Sequence, residues 1–303
     1  MTRVAAPLPA KARRSRFWRR FVAHRGAVAG LVLLSAIVGG VLIGPWLWPL
    51  DPAQIDIAAR SQPPSLAHPL GTDQLGRDLL AGLMAGGRVS LLVGLVAMGL
   101  AVGLGTLVGV LAGVLRRWDA PLMRLTDLFL SLPLLPLLLA AIMLWRDSLR
   151  ALLGPEIGIF LLIVGAIGLT SWMQTARIVR AEVLTLRERE FILAATALGT
   201  RPFAMIRRHV LPNILGPILV SATLGVGHAI LTESALSFLG LGLPSDVPSW
   251  GRMLYDGTNY MTVTPTRAIW PGLAITLTVL GVNYLGDGLR DALDPRWIRP
   301  VRR

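Results

Sequence analysis

The sequence has 303 residues, of which 53% are hydrophobic and 16% charged, with a formal net charge of +13. A soluble domain carries about 25% charged residues, so this composition points away from one. Cysteine is absent, which excludes disulfides, thiolate metal sites and cysteine nucleophiles. The four histidines, His24, His68, His209 and His228, share no metal-ligand spacing. Lys11 is the only lysine and follows Leu8-Pro9-Ala10, so the chain carries no phosphate-binding loop ending in Lys-Ser or Lys-Thr. No catalytic site, metal or cofactor is expected.

In chain order, a basic arm covers 1–25. The first apolar run is Gly26–Leu50, too long for a signal-peptide core and without a good cleavage site at Gly44-Pro45-Trp46. A segment rich in Pro and Gly follows at 51–88. The second run is Val89–Leu115 and the third Leu128–Trp145, which contains Pro133 and Pro136. The fourth is Ile157–Ala176, the fifth His209–Thr232 and the sixth Ala268–Gly286. About 20 apolar residues cross a bilayer, so six such runs predict an all-α polytopic membrane protein with six transmembrane helices. Prolines in the third and fifth predict kinks. Residues 89–288 form a five-helix core and 289–303 a tail.

Charge gives orientation. Eight Lys/Arg lie in 1–25, three in 116–127, seven in 177–208 and five in 287–303, against seven in the intervening segments. The positive-inside rule therefore puts both termini in the cytoplasm. It also accounts for the net charge through contact with lipid headgroups, without nucleic acid. In the second run, Gly105, Gly109 and Gly113 make a small-residue stripe, and Gly99 and Gly103 another, which suits close helix packing inside the subunit.

Three segments between the runs carry information. In 51–88, His68-Pro69-Leu70-Gly71-Thr72-Asp73-Gln74-Leu75-Gly76-Arg77-Asp78 reads as a structured turn region. Asp73, Arg77 and Asp78 there suit local ion pairs in a capping loop, or contact with a delivery protein. In the cytoplasmic segment 177–212, Phe191, Ala194, Ala195 and Leu198 repeat as one apolar helix face. Gly199 suits a left-handed stop and Pro202 a new helix start, which predicts two short helices with a turn at Gly199. The first is slim enough to enter a partner's groove, or to lie on the membrane surface. In 233–267, Glu233 ends the fifth run, and with His228 it is the candidate for a pathway or gate. A structural hydrogen-bonding role is the favoured reading for Glu233.

Together these segments resemble one family, the permeases of ABC importers. Ala194-Ala195, Gly199 and Leu211-Pro212 are spaced like the docking loop of such permeases. The stretch His68–Asp78 resembles the HPLGTDxLGRD segment of the second permease of dipeptide/oligopeptide importers. Glu233 to Gly242 with Pro248-Ser249-Trp250-Gly251 resembles its LSFLGLG…PSWG stretch, and Gly286–Pro295 its GDGLRDALDP ending. The likeness runs from about residue 17 to 296. It implies a type I ABC importer transmembrane domain in the bacterial inner membrane. It further implies a heterodimer with a homologous permease, two ABC ATPase subunits on Phe191, Ala194, Ala195, Leu198, Gly199, Leu211 and Pro212, and an extracytoplasmic binding protein. The family's substrates are di- and oligopeptides, with nickel complexes and glutathione in some branches. Leu193 stands where the docking loop's usual Glu would be, so a charge contact from that position cannot form. The alternative is a secondary, ion-coupled transporter without ATPase partners, although no internal repeat is visible. A membrane enzyme would have to rely on His228 and Glu233, whose five-residue spacing puts them on different helix faces.

Overall fold

In the computed structural model, which describes residues 10–244 and 247–293, each apolar run is helical. The helices are α1 (Ala10–Ala23), α2 (Arg25–Leu47), α3 (Leu79–Val114), α4 (Arg116–Ser131), α5 (Leu134–Leu153), α6 (Pro155–Arg187), α7 (Glu190–Ala197), α8 (Pro202–Met205), α9 (Leu211–Phe238), α10 (Trp250–Thr258) and α11 (Thr266–Leu293). A π-helical turn, Ile206–Val210, joins α8 to α9. Five helical stretches are long and apolar enough to span a membrane, and six if the α4–α5 pair counts as one. The first nine residues and the Asp294-Pro295 ending of the tail motif lie outside the described residues.

The third run differs from expectation. It is bent more sharply than a kink, lying across the α4–α5 pair, whose helices meet at 88°. Pro133 supplies no N–H and forces Leu132 into extended backbone (φ −79°, ψ 136°), so the helix stops and restarts in a new direction. By contrast, α3 begins ten residues before its apolar run. Arg88 interrupts the run in sequence but not the helix. Its side chain lies along α2, where Nε donates to Val41 O (3.0 Å) and Nη2 to Leu42 O (3.2 Å). Pro45, inside α2, has no N–H for Val41 O, so Arg88 satisfies the carbonyl that the proline leaves free.

The largest internal interface joins α3 to α6, and the glycine stripe explains it. A Cβ on Gly105 would sit 2.6 Å from Trp172 O, one on Gly109 2.5 Å from Ala176 O, and one on Gly113 2.6 Å from Val183 Cβ. Only glycine lets the two backbones approach so closely. Gly99 and Gly103 face open space and take no part in it. Gly109→Val should therefore cost at least about 1–3 kcal/mol, because backbone and not a mobile side chain stands in the way. Gly103→Val should leave the isolated subunit as stable as wild type. Thermal stability of the two variants in detergent checks both expectations.

Val93 and Ala97 of α3, Leu138 and Ile142 of α5, Ile163 and Ile167 of α6, and Leu236 of α9 make the main core. A second core at the arginine-rich end joins Val110, Val179, Val183 and Ile214 to Ile192 and Ala195 of α7 and Met205 of α8. Many large apolar side chains on the spans, such as Leu95, Leu107 and Leu219, point outward, as a lipid or subunit neighbour requires.

Candidate functional site

Two regions at opposite ends of the bundle hold the residues that sequence singled out. At the arginine-rich end, α7 stops as expected. Gly199 adopts φ +74°. The Thr200 N–H donates to Ala195 O (3.1 Å) and the Gly199 N–H to Thr196 O (2.9 Å). This pair of bonds is a Schellman motif, which needs a left-handed residue at the position of Gly199. Pro202 opens α8 in its first turn. The loop is thus two short helices turning at Gly199.

The faces of α7 differ from the expected stripe. Ala195 is buried together with Ile192, whereas Phe191, Ala194 and Leu198 are exposed. Leu198 is 87% exposed and Phe203, on α8, 75%. So one side of the helix pair is anchored in the core between α3, α6 and α9, and the other presents apolar side chains outward. Phe191 lies against His209 (6.4 Å between ring centroids), and Leu211 and Pro212 form the first turn of α9. Around this end, Asp119 of α4 pairs with Arg180 of α6 (Nη2 to Oδ2, 2.8 Å), and Arg187 Nη1 donates to Gly113 O (2.9 Å).

At the other end Glu233 is completely buried. Its Oε1 accepts from Ser237 Oγ (2.7 Å) and Ser249 Oγ (2.8 Å), and its Oε2 from Ser90 Oγ (3.3 Å). Two of these hydroxyls accept in turn from the first turn of α10. Ser90 Oγ receives the Trp250 N–H (3.1 Å) and Ser249 Oγ the Arg252 N–H (3.2 Å). One carboxyl group therefore ties α3, α9 and α10 together through the free N–H groups of a helix start. Trp250 seals the junction, with Nε1 donating to Leu83 O (2.9 Å). His228 is exposed on the surface of α9, so it and Glu233 do not meet. Ser237, four residues on from Glu233, was accessible to helix spacing. Ser90, 143 residues away, had no local signal.

The loop before α3 is built around Asp78 and Asp73, but not as ion pairs with Arg77. Asp78 caps α3, accepting from the Ala81 N–H (2.7 Å), and its carboxylate also meets His68 Nδ1 (2.9 Å) and Trp48 Nε1 (3.3 Å). It is buried, and its oxygens are occupied. Asp73 Oδ1 accepts from the N–H groups of Leu75 (2.7 Å) and Arg77 (2.9 Å). The fold holds the two acids in backbone turns because Asp at these positions satisfies otherwise orphaned amides. Arg77 is left without a carboxylate partner among the described residues, and its buried Nε bonds to nothing. Asp78→Ala should cost about 1–2 kcal/mol through the lost cap. A thermal-unfolding midpoint equal to wild type would contradict that role.

Among the described residues no cluster of His, Asp or Glu suits a metal ion. The arrangement is that of a membrane-embedded helical bundle with an exposed apolar face at one end and a polar, loop-capped other end. The model of the binding-protein-dependent transport system inner membrane component matches residues 105–299, and that of the N-terminal transmembrane domain of oligopeptide transport permease C matches 13–64. A dipeptide transport system permease protein of Alkalihalophilus pseudofirmus is 40% identical over 271 residues, covering 89% of this chain and 86% of that protein. A Brucella suis protein, provisionally named a peptide permease, is 42% identical over 280 residues, covering 91% and 89%. The chain belongs to the family of inner-membrane components of binding-protein-dependent ABC importers.

Proposed function

We propose that this chain is one of two homologous permeases that together form the path of an importer for di- and oligopeptides. Two ATPase subunits bind at α7–α8, and an extracytoplasmic binding protein delivers substrate at the opposite end. Both termini then lie in the cytoplasm, in keeping with the arginine distribution. The observation that carries this reading is the two-sided character of α7–α8. Ile192, Ala195 and Met205 fix the pair to the core of the bundle, while Phe191, Ala194, Leu198 and Phe203 are left for a partner. A helix pair built this way moves with α6 and α9 as one body. An ATPase that closes on ATP would bias the bundle between inward-open and outward-open states. Leu193 is exposed in place of an acid, so docking here rests on shape and apolar contact. His228 remains the candidate for the path. Glu233 supports the path's outer end from inside the subunit. The peptide substrate follows the names of the relatives.

The test is uptake of radiolabelled tri-alanine into proteoliposomes holding the full complex with its binding protein. ATP-dependent accumulation supports the reading. Uptake by this chain alone, driven by a proton or sodium gradient, contradicts it.

A further inference from the structure

At the arginine-rich end, α1 has two different faces. Phe21 is buried and makes a small core with Ala27 of α2 and Ala292 of α11, against which Phe17 and Leu289 pack. His24 fixes the junction: its Nδ1 accepts from the Ala27 N–H (2.9 Å), and its Nε2 lies 3.5 Å from Asp291 Oδ2. One face of α1 is therefore held on the ends of α2 and α11. The other face is open. Trp18 is 50% exposed and Val22 63%. Arg19 and Ala23 are exposed beside them, and these four residues line an open cleft. The Trp18 ring is braced edge-on against Phe17 (5.7 Å between centroids) and Phe21 (6.1 Å). Among the described residues no acid pairs with Arg19. The cleft thus combines apolar walls, one of them a braced indole, with one guanidinium.

Charge and depth identify what covers this face. From Ala10 to Arg25 the chain carries seven Lys/Arg and no Asp or Glu. The end of α11 adds Asp287, Arg290 and Asp291, which offsets one of those charges and leaves a large positive excess. The first span starts at Arg25. At a rise of about 1.5 Å per residue, Val22 and Trp18 precede it by about 5 Å and about 10 Å along the chain. Trp and Arg at that depth are the side chains of a membrane–water boundary. A basic helix with an apolar face there binds by burying that face and by attraction to anionic lipid. We propose that the α1 cleft holds one anionic phospholipid of the surrounding leaflet, with its phosphate on Arg19 and the upper part of an acyl chain between Trp18 and Val22. A zwitterionic lipid fits the apolar walls equally well, but its headgroup brings a cation of its own to an already cationic helix.

The test uses the full chain with its partner subunits in nanodiscs that contain phosphatidylglycerol or phosphatidylcholine with a photoactivatable acyl chain. Labelled peptides are mapped by mass. Phosphatidylglycerol should label the 17–25 segment of the wild type about fivefold or more above phosphatidylcholine. Arg19→Gln should lower that labelling about fivefold, the loss expected for one arginine at an anionic surface. Trp18→Ala with Val22→Ala should lower it for both lipids. Arg116→Gln, exposed on α4 at the same end, should leave it unchanged. Should the Trp18 variant loosen α1, Arg19→Gln reads the same site without touching the aromatic cluster. Equal labelling by the two lipids overturns the site, as does labelling that Arg19→Gln and Arg116→Gln lower alike; either pattern leaves only a general basic surface. Absence of label on α1 overturns it as well, and label that appears only once the partner subunits are stripped shows that a protein covers this face instead. The readout needs no transport, so it stands or falls apart from the importer reading.

Discussion

Glu233→Ala is expected to cost about 3–5 kcal/mol, enough to leave little folded subunit. The loss combines a cavity in a packed site with the removal of an acceptor from three hydroxyls. Ser90, Ser237 and Ser249 all donate to this carboxyl group, and nothing else nearby replaces it. The damage should spread to α10, whose Trp250 and Arg252 N–H groups rest on Ser90 and Ser249. Glu233→Gln keeps the volume and one carbonyl acceptor, and rotating hydroxyls can accept from its amide, so it should cost about 1–2 kcal/mol. The measurement is the temperature at which detergent-solubilised subunit loses its monodisperse elution peak. An Ala variant as stable as wild type would remove Glu233 from the structural role argued here. A Gln variant that is stable but inactive in transport would move it from scaffold to path.

Gly199→Val should separate transport from assembly. A Cβ at this position meets nothing within 4 Å, so steric exclusion has no part in the effect. What changes is the backbone: φ +74° is open to glycine and costs other residues about 1–2 kcal/mol, with a β-branched side chain at the unfavourable end. Relief of that strain unwinds the end of α7 and shifts Leu198 and Phe203 relative to the anchored Ile192 and Ala195. ATP-driven uptake should fall roughly 5–30-fold, the population change that such a strain produces, while the subunit still folds and inserts. Gly199→Asn, which tolerates the left-handed region, should keep most activity. Normal transport by the Val variant would refute the rigid-lever account of the loop.

Much of the bundle was legible because a bilayer demands long apolar helices, and six such runs leave few other solutions. The turn at Gly199 was legible for a similar reason, since glycine followed three residues later by proline has one common helical use. Other features depended on partners distant in sequence. Arg88 looked like the end of a loop until α2 offered it the carbonyl freed by Pro45. The inward face of α7 was hidden because Phe-Ile-Leu-Ala-Ala-Thr-Ala is apolar on nearly every side, so periodicity could not choose Ile192 over Phe191. Asp73, Arg77 and Asp78 looked like mutual ion partners by proximity. Backbone amides claimed the two acids first, and Arg77 was left facing a pocket closed by α10 and α11. The bend at Pro133 was foreseen as a kink, but its size depended on how α4 and α5 pack separately on α6.

The most direct test of the central claim is affinity purification of this chain from its own host in mild detergent, with co-purifying proteins identified by mass. Here Leu198 and Phe203, which face outward, are changed to Glu in parallel. Recovery of a second six-helix permease and P-loop ATPases with the wild type, and loss of the ATPases alone with the double variant, is the predicted result. Recovery of the chain alone or as a homodimer, still active in ion-driven uptake, would contradict it.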